Sequence, residues 1–247
     1  MSGAFIIRLL VLALLSAFLI APEIFAPFFA LFTTRGAPAI YTQTDMLSLA
    51  LNHLALVVAA VSAATVIAVG LAVLVTRPAW TEFLPLSRAL ANIGQTFPPI
   101  AVLALAVPAM GFGNGPTLIA LFLYGLLPIF ENTMTGLSNL PPSVQEAARG
   151  MGMSDRQRLL QVELPLAMPV ILGGIRLSTV IAISTATIGS TVAARTLGEV
   201  IIAGLLSNNI AFILQGGLVV GALAVLIHDG FVALERRIAA GTGAGRS

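Results

Sequence analysis

Six long apolar runs, with little charge between them, restrict this chain to a structure whose outer surface meets lipid. A helix needs about 20 mostly apolar residues to cross about 30 Å of hydrocarbon. The runs 5–21, 47–75, 83–110, 116–137, 166–193 and 209–234 come close to or exceed that length. Charged residues are 9% of the chain, where a soluble domain carries about 25%. Runs this long and this uniformly apolar read as spanning helices rather than soluble cores. An all-α membrane protein of about six transmembrane helices is expected.

Composition removes several functions. All 12 basic residues are Arg, and a Walker A phosphate loop requires its Lys, so ATP hydrolysis by that route is excluded. With no Cys there is no thiolate metal site or disulfide. Two His residues and no HExxH argue against a resident metal and against catalysis. A net charge of +2 is too small and too dispersed for nucleic acid.

Arg placement orients the runs, because cytoplasmic loops hold the basic excess. Arg77 and Arg88 flank the second connection, Arg149, Arg156 and Arg158 lie in the fourth, and Arg236, Arg237 and Arg246 follow the last run. Arg8 opens the first, and only Arg35 and Arg195 fall on the other side. Both termini and the fourth connection are therefore expected in the cytoplasm. The division is an N-terminal helix and external loop (1–46), a core of five helices (47–237) enclosing the polar insert 141–165, and a short tail (238–247). The first run is expected to be a retained helix, since no small-x-small cleavage site follows it.

The insert holds EAARGMGMSDRQRLLQVELP, residues 146–165. Pro141-Pro142 stops the preceding helix. Ser143 with Glu146, and Ser154 with Gln157, have capping-box spacing. Gly150 and Gly152 permit a tight bend, and Leu164-Pro165 is expected to close the second short helix. A compact helix–bend–helix between membrane runs offers something to be gripped from outside the bilayer.

The pattern Glu146-Ala147-Ala148, then Gly152, then Val162, Leu164 and Pro165 resembles the signature of binding-protein-dependent ABC importer permeases. Val162 stands where Ile is more usual. That resemblance implies a MetI-like fold whose insert is a coupling loop seated in a separate ATPase subunit. It further implies that ATP and Mg belong to that subunit, that a second permease copy or paralogue completes the pathway, and that an external solute-binding protein delivers the cargo. Glu146 would orient the first coupling helix, Ala147 and Ala148 would be small contact residues, Gly152 would supply the bend, and Leu164-Pro165 would fix the exit. The segments LNHLALVVAAVSAATVIAVGLAVLVTRP, NIGQTFPPIAVLALAVP, ALFLYGLLPIFENTMTGL and LPLAMPVILGGIRLSTVIAISTATIGS are similar to permeases for osmoprotectants such as glycine betaine, choline or carnitine. Import of another small solute, such as an amino acid, or ion-coupled secondary transport are the alternatives. Mid-span acids and repeated halves would favour the last; the nearest feature is Glu131, and no repeat is visible.

Several residues inside the runs are candidates for the pathway. Gln95-Thr96-Phe97-Pro98 precede Pro99, and two adjacent prolines break a helix. Irregular backbone at membrane depth belongs beside protein or a water-filled cavity, so this break is a gate candidate or a packing kink. Ser184, Thr187 and Thr191 share a helical face, to line a pathway or to bond their own backbone. Glu131 and Arg176, counted along two adjacent helices, fall at similar depth and are expected to form an intramembrane ion pair. His53 reads as a satisfied polar group, and Gly217 with Gly221 as a close-packing GxxxG.

Overall fold

The computed structural model describes residues 3–33 and 36–242. Thr34, Arg35 and the tail from Gly243, Arg246 included, lie outside the described residues. Regular structure among the described residues is helical throughout: α1 (Gly3–Ile20), α2 (Ala26–Phe29), α3 (Met46–Val75), α4 (Leu84–Thr96), α5 (Pro99–Met110), α6 (Asn114–Ser138), α7 (Pro142–Gly150), α8 (Asp155–Arg158), α9 (Leu164–Ala186), α10 (Gly198–Leu206) and α11 (Ile210–Thr242).

Four segments of the described residues are long and apolar enough to cross a membrane singly: Met46–Val75, Asn114–Ser138, Asp155–Val192 and Ile210–Ala240. The runs 5–21 and 83–110, each expected as one span, fall within helix pairs that qualify only together and bent, Phe5–Ile20 with Pro22–Phe32 and Pro78–Thr96 with Pro99–Met110. Pro22 opens a 3₁₀ turn after α1, and the chain turns there by 112°. Pro98 and Pro99 cannot return donors to the carbonyls four residues back, and α4 gives way to α5 with a bend of 96°. At about 1.5 Å per residue, the 12 residues of α5 are too short to span alone.

The chain divides into two compact units. The first comprises residues 1–60, 97–121 and 180–227. At its centre the fully buried His53 meets the Ile183 carbonyl at 3.0 Å through Nε2, and its Nδ1 accepts the Leu197 N–H at 3.4 Å. A lone polar ring thus satisfies two backbone groups. Gly198 lies so close to Thr187 that a Cβ would sit 1.8 Å from its carbonyl oxygen. Phe18 packs against Phe25 and Phe29, each at 5.4 Å between ring centres, which folds the bent segment back onto α1.

The second unit comprises residues 61–96, 122–179 and 228–247. Ala64, Ala68 and Ala72 repeat every four residues along α3 and pack with Ile129, Phe130 and Met134 of α6 and Ala91 of α4. Small side chains let backbones approach where dispersion, not hydrophobic exclusion, holds helices together. Gly94 shows the same economy of space, its missing Cβ falling 2.2 Å from the Leu123 carbonyl oxygen. Gly217 and Gly221 meet nothing within 4 Å, so their GxxxG is not a packing seam within the described residues.

Candidate coupling site

The polar insert folds as helix, bend, helix. α7 starts with Pro142 at its first position and Pro141 at the cap, with no side-chain cap. The expected Ser143–Glu146 box is not formed. The prolines advance the helix start by two residues, and Pro at the first helical position needs no donor, so Ser143 already lies inside the helix. The second box is formed: Ser154 Oγ accepts the Gln157 N–H and Gln157 Oε1 accepts the Ser154 N–H at 2.9 Å.

Gly152 makes the bend. Its φ is +76°, a left-handed conformation that side-chain-bearing residues resist. The Gly152 N–H donates to the Arg149 carbonyl at 2.9 Å, and the Met153 N–H to the Ala148 carbonyl at 3.2 Å. These two bonds form a Schellman closure, which satisfies carbonyls that the end of α7 would otherwise orphan.

Glu146, Ala147 and Gly152 are exposed around the bend, and Met151 at its tip is 73% exposed. Ala148 is 1% exposed, so it packs inward and is not a contact residue as expected. Of this short helix only the Ala148 side is fully buried, with Ala147 and Arg149 exposed on either side of it. Sequence reasoning also missed Met151 and Leu160, the latter 53% exposed. An unbranched apolar residue between two glycines in a polar insert was the available signal.

Leu164-Pro165 does not close a helix. α8 passes through a π-helical turn, Leu159–Glu163, straight into α9, and the Leu164 N–H donates to the Leu159 carbonyl five residues back. The wide turn supplies what Pro165 needs: its ring cannot tolerate an ordinary turn packed against residue 161. Val162 is half-buried in that turn.

Below the bend lies a charge cluster that the sequence reading did not assemble. Glu163, buried at 5% exposure, receives Arg77 Nη2 at 2.7 Å on Oε2 and Arg158 Nε at 2.8 Å on Oε1. Arg158 also pairs with Asp155 at 2.9 Å. Arg77 is anchored in turn to the Val73 carbonyl and the Thr76 hydroxyl, at 3.3 and 3.1 Å. A cavity of 430 Å³ opens beside the cluster, lined by Arg77, Gln145, Arg149, Arg158 and Glu163 among others. The arrangement ties the end of α3 to the root of the insert and leaves the bend itself free.

The Glu131–Arg176 pair is not formed. Glu131 takes Arg88 Nε at 2.5 Å and Arg88 Nη2 at 3.1 Å. Arg176 lies 3.1 Å from Glu235 and 3.2 Å from His228 Nε2. Depth counted along two helices does not fix the direction a side chain takes around its axis, and α4 and α11 supply the nearer partners. His228 Nδ1 also stands 3.5 Å from Asp229.

Gln95, Thr96, Phe97 and Pro98 are exposed at the break after α4. Gln95 donates to the Tyr124 carbonyl at 3.0 Å and Thr96 to the Ile93 carbonyl at 2.7 Å. The hydroxyls of Ser184, Thr187 and Thr191 donate to Val180, Ser184 and Ile188 at 3.3, 2.7 and 2.7 Å. Those three groups are satisfied by their own backbone. No cluster of metal-ligating side chains occurs among the described residues.

Residues 85–239 match the sequence family described as "Binding-protein-dependent transport system inner membrane component". The chain is 39% identical over 196 residues to the osmoprotectant import permease protein OsmY of Salmonella typhimurium, covering 79% of this chain and 83% of that protein. It is 35% identical over 205 residues to the choline transport system permease protein OpuBB of Bacillus subtilis, covering 83% and 90%. In fold it is similar to a chain of the MetNI methionine ABC transporter in an inward-facing conformation, with a TM-score of 0.70 at 21% identity over 78% of this chain and 95% of that one.

Proposed function

This chain belongs to the family of inner membrane components of binding-protein-dependent transport systems, and on that premise we propose that it is the permease of an ATP-driven importer for a small osmoprotectant. The cargo class is a quaternary amine such as glycine betaine, choline or carnitine, as the names of its relatives suggest. The observation that carries the mechanism is the exposed bend at Gly152, closed by its own backbone bonds and rooted on the buried Glu163. A separate ATPase, binding ATP and Mg, grips Glu146, Ala147 and Met151. Closure of two ATPase subunits moves the inserts and tips the helices between outward and inward openings.

Both termini and the insert face the cytoplasm, by the Arg distribution. Six helices make half a pathway, so a second copy or a paralogue completes it with two-fold symmetry. An external binding protein delivers the cargo and supplies the main part of the selectivity. Chemistry on the cargo is absent from this scheme: the chain converts ATPase movement into access.

The test is uptake of labelled glycine betaine and choline by vesicles holding the chain with its ATPase and binding protein. Uptake should require ATP inside and survive collapse of ion gradients. Uptake that persists without ATP and vanishes with the gradient refutes the proposal.

A further inference from the structure

Glu199, in the first turn of α10, is half-buried and has no cationic partner among the described residues. Its Oε1 accepts the Tyr41 phenol at 2.7 Å and the Thr44 hydroxyl. The helix N-terminus offsets part of its charge, yet Oε2 takes no protein donor among those residues.

The surroundings are built, not incidental. Gln215, fully buried, accepts the Tyr41 N–H at 3.0 Å and donates to the Ala39 carbonyl at 2.7 Å. Asn209 donates to the Pro38 carbonyl at 2.9 Å. These bonds fasten the segment before α3 to α11, and a cavity of 530 Å³ stays open between that segment and α10. Tyr41 and Phe212 meet edge to face at 5.4 Å on its wall, and Glu199 is the one charged group lining it among the described residues. Gln43, Ser207 and Asn209 also line it, beside Tyr41, Phe212, Ile202 and Leu206; a hydrated metal ion gains nothing from the apolar part of that wall, and an anion is repelled by the carboxylate. Methylated ammonium groups use both features, charge against carboxylate and methyls against apolar surface.

We propose that this cavity binds a small organic cation of the quaternary-ammonium class, with Glu199 as counter-ion and Tyr41 and Phe212 as the aromatic wall. The assignment deepens the importer reading and rests on it for the cargo class. It makes the cavity a holding point on the permease itself, separate from the external binding protein. A net cation is favoured over a zwitterion, whose own carboxylate meets Glu199, so choline binds more tightly than glycine betaine.

The experiment is equilibrium binding of tetramethylammonium, choline and glycine betaine to the purified full-length chain in detergent. Saturable binding is expected, with choline and tetramethylammonium ahead of glycine betaine. Glu199→Gln, which keeps an acceptor for Tyr41 and Thr44, should weaken choline binding by about tenfold, or about 1.4 kcal/mol. Ala203→Phe, on the cavity wall, should weaken it by filling space without altering charge. Lack of saturable binding to the unaltered chain, or equal affinity in the chain and both variants, overturns the site. Vesicle uptake separates the two ideas: failed ATP-driven import beside intact, Glu199-dependent binding sinks the importer and spares the site.

Discussion

Glu163 holds Arg77 at 2.7 Å across 86 residues of sequence. That bond and the one to Arg158 make a single buried carboxylate the root on which the insert stands. Taking away one partner of a buried ion pair leaves the others uncompensated. Because Arg77 is 24% exposed, water recovers part of the loss.

Glu163→Gln should therefore lower stability by roughly 2 kcal/mol, the scale of a charged hydrogen bond, and reduce coupling more than insertion. Thermal unfolding in detergent reads the first effect; the ratio of solute moved to ATP consumed reads the second. An unchanged ratio removes Glu163 from the coupling route.

Gly152→Asp should weaken capture of the ATPase while membrane insertion stays normal. A residue with a side chain pays about 1–2 kcal/mol in the left-handed conformation, although nothing within 4 Å obstructs a Cβ there. Gly152→Asn, which tolerates that conformation better, should retain more binding. Co-purification of the ATPase with each variant decides, and full retention by the Asp variant contradicts the hinge.

Arg88 and Glu131, on helices α4 and α6, form their pair with side chains 51% and 38% exposed. Charges carried on membrane helices face water or protein rather than acyl chains. The chain lacks Cys, so Glu131→Cys introduces a unique thiol. In the assembled transporter it should react with a membrane-impermeant thiol reagent at a rate that changes with ATP. Reaction confined to lipid-soluble reagents would place the pair against lipid.

Tyr41 titrates unusually. Burial, then its bond to Glu199, pushes the phenol up to about 12, against about 10 in an unfolded chain. The folded state holds this proton more tightly, so the associated stability is complete below about pH 10 and is lost as pH rises through the folded value. In Tyr124→Phe, which leaves Tyr41 as the last tyrosine of two, tyrosinate absorbance should appear only toward pH 12. Ionisation near the ordinary value would mean the phenol is not held.

Much of this architecture was legible because lipid imposes a simple demand on length and hydropathy. The helices 46–75, 114–138 and 210–240 follow from their apolar runs alone, and the break at Pro98-Pro99 from missing donors. The Ser154–Gln157 cap and the Gly152 bend were equally readable, since both are local. What stayed hidden was azimuth. Nothing in the spacing says that Glu131 turns to α4 and Arg176 to α11, or that Ala148 faces inward beside an exposed Ala147. The Arg77–Glu163–Arg158 cluster was hidden for a related reason, because one of its three members, Arg77, follows the end of α3, 86 residues away from Glu163. Leu164-Pro165 misled because Pro usually ends a helix, whereas here a wide turn absorbs it.

That wide turn sets an angular phase. Each residue advances a helix by about 100°, so the surplus residue in Leu159–Glu163 determines the compass direction in which the bend points relative to the stem of α9. Shortening the turn by a single residue would leave both pieces helical and re-aim the bend by about that angle. The direction in which the bend points is thus encoded in how many residues the turn contains.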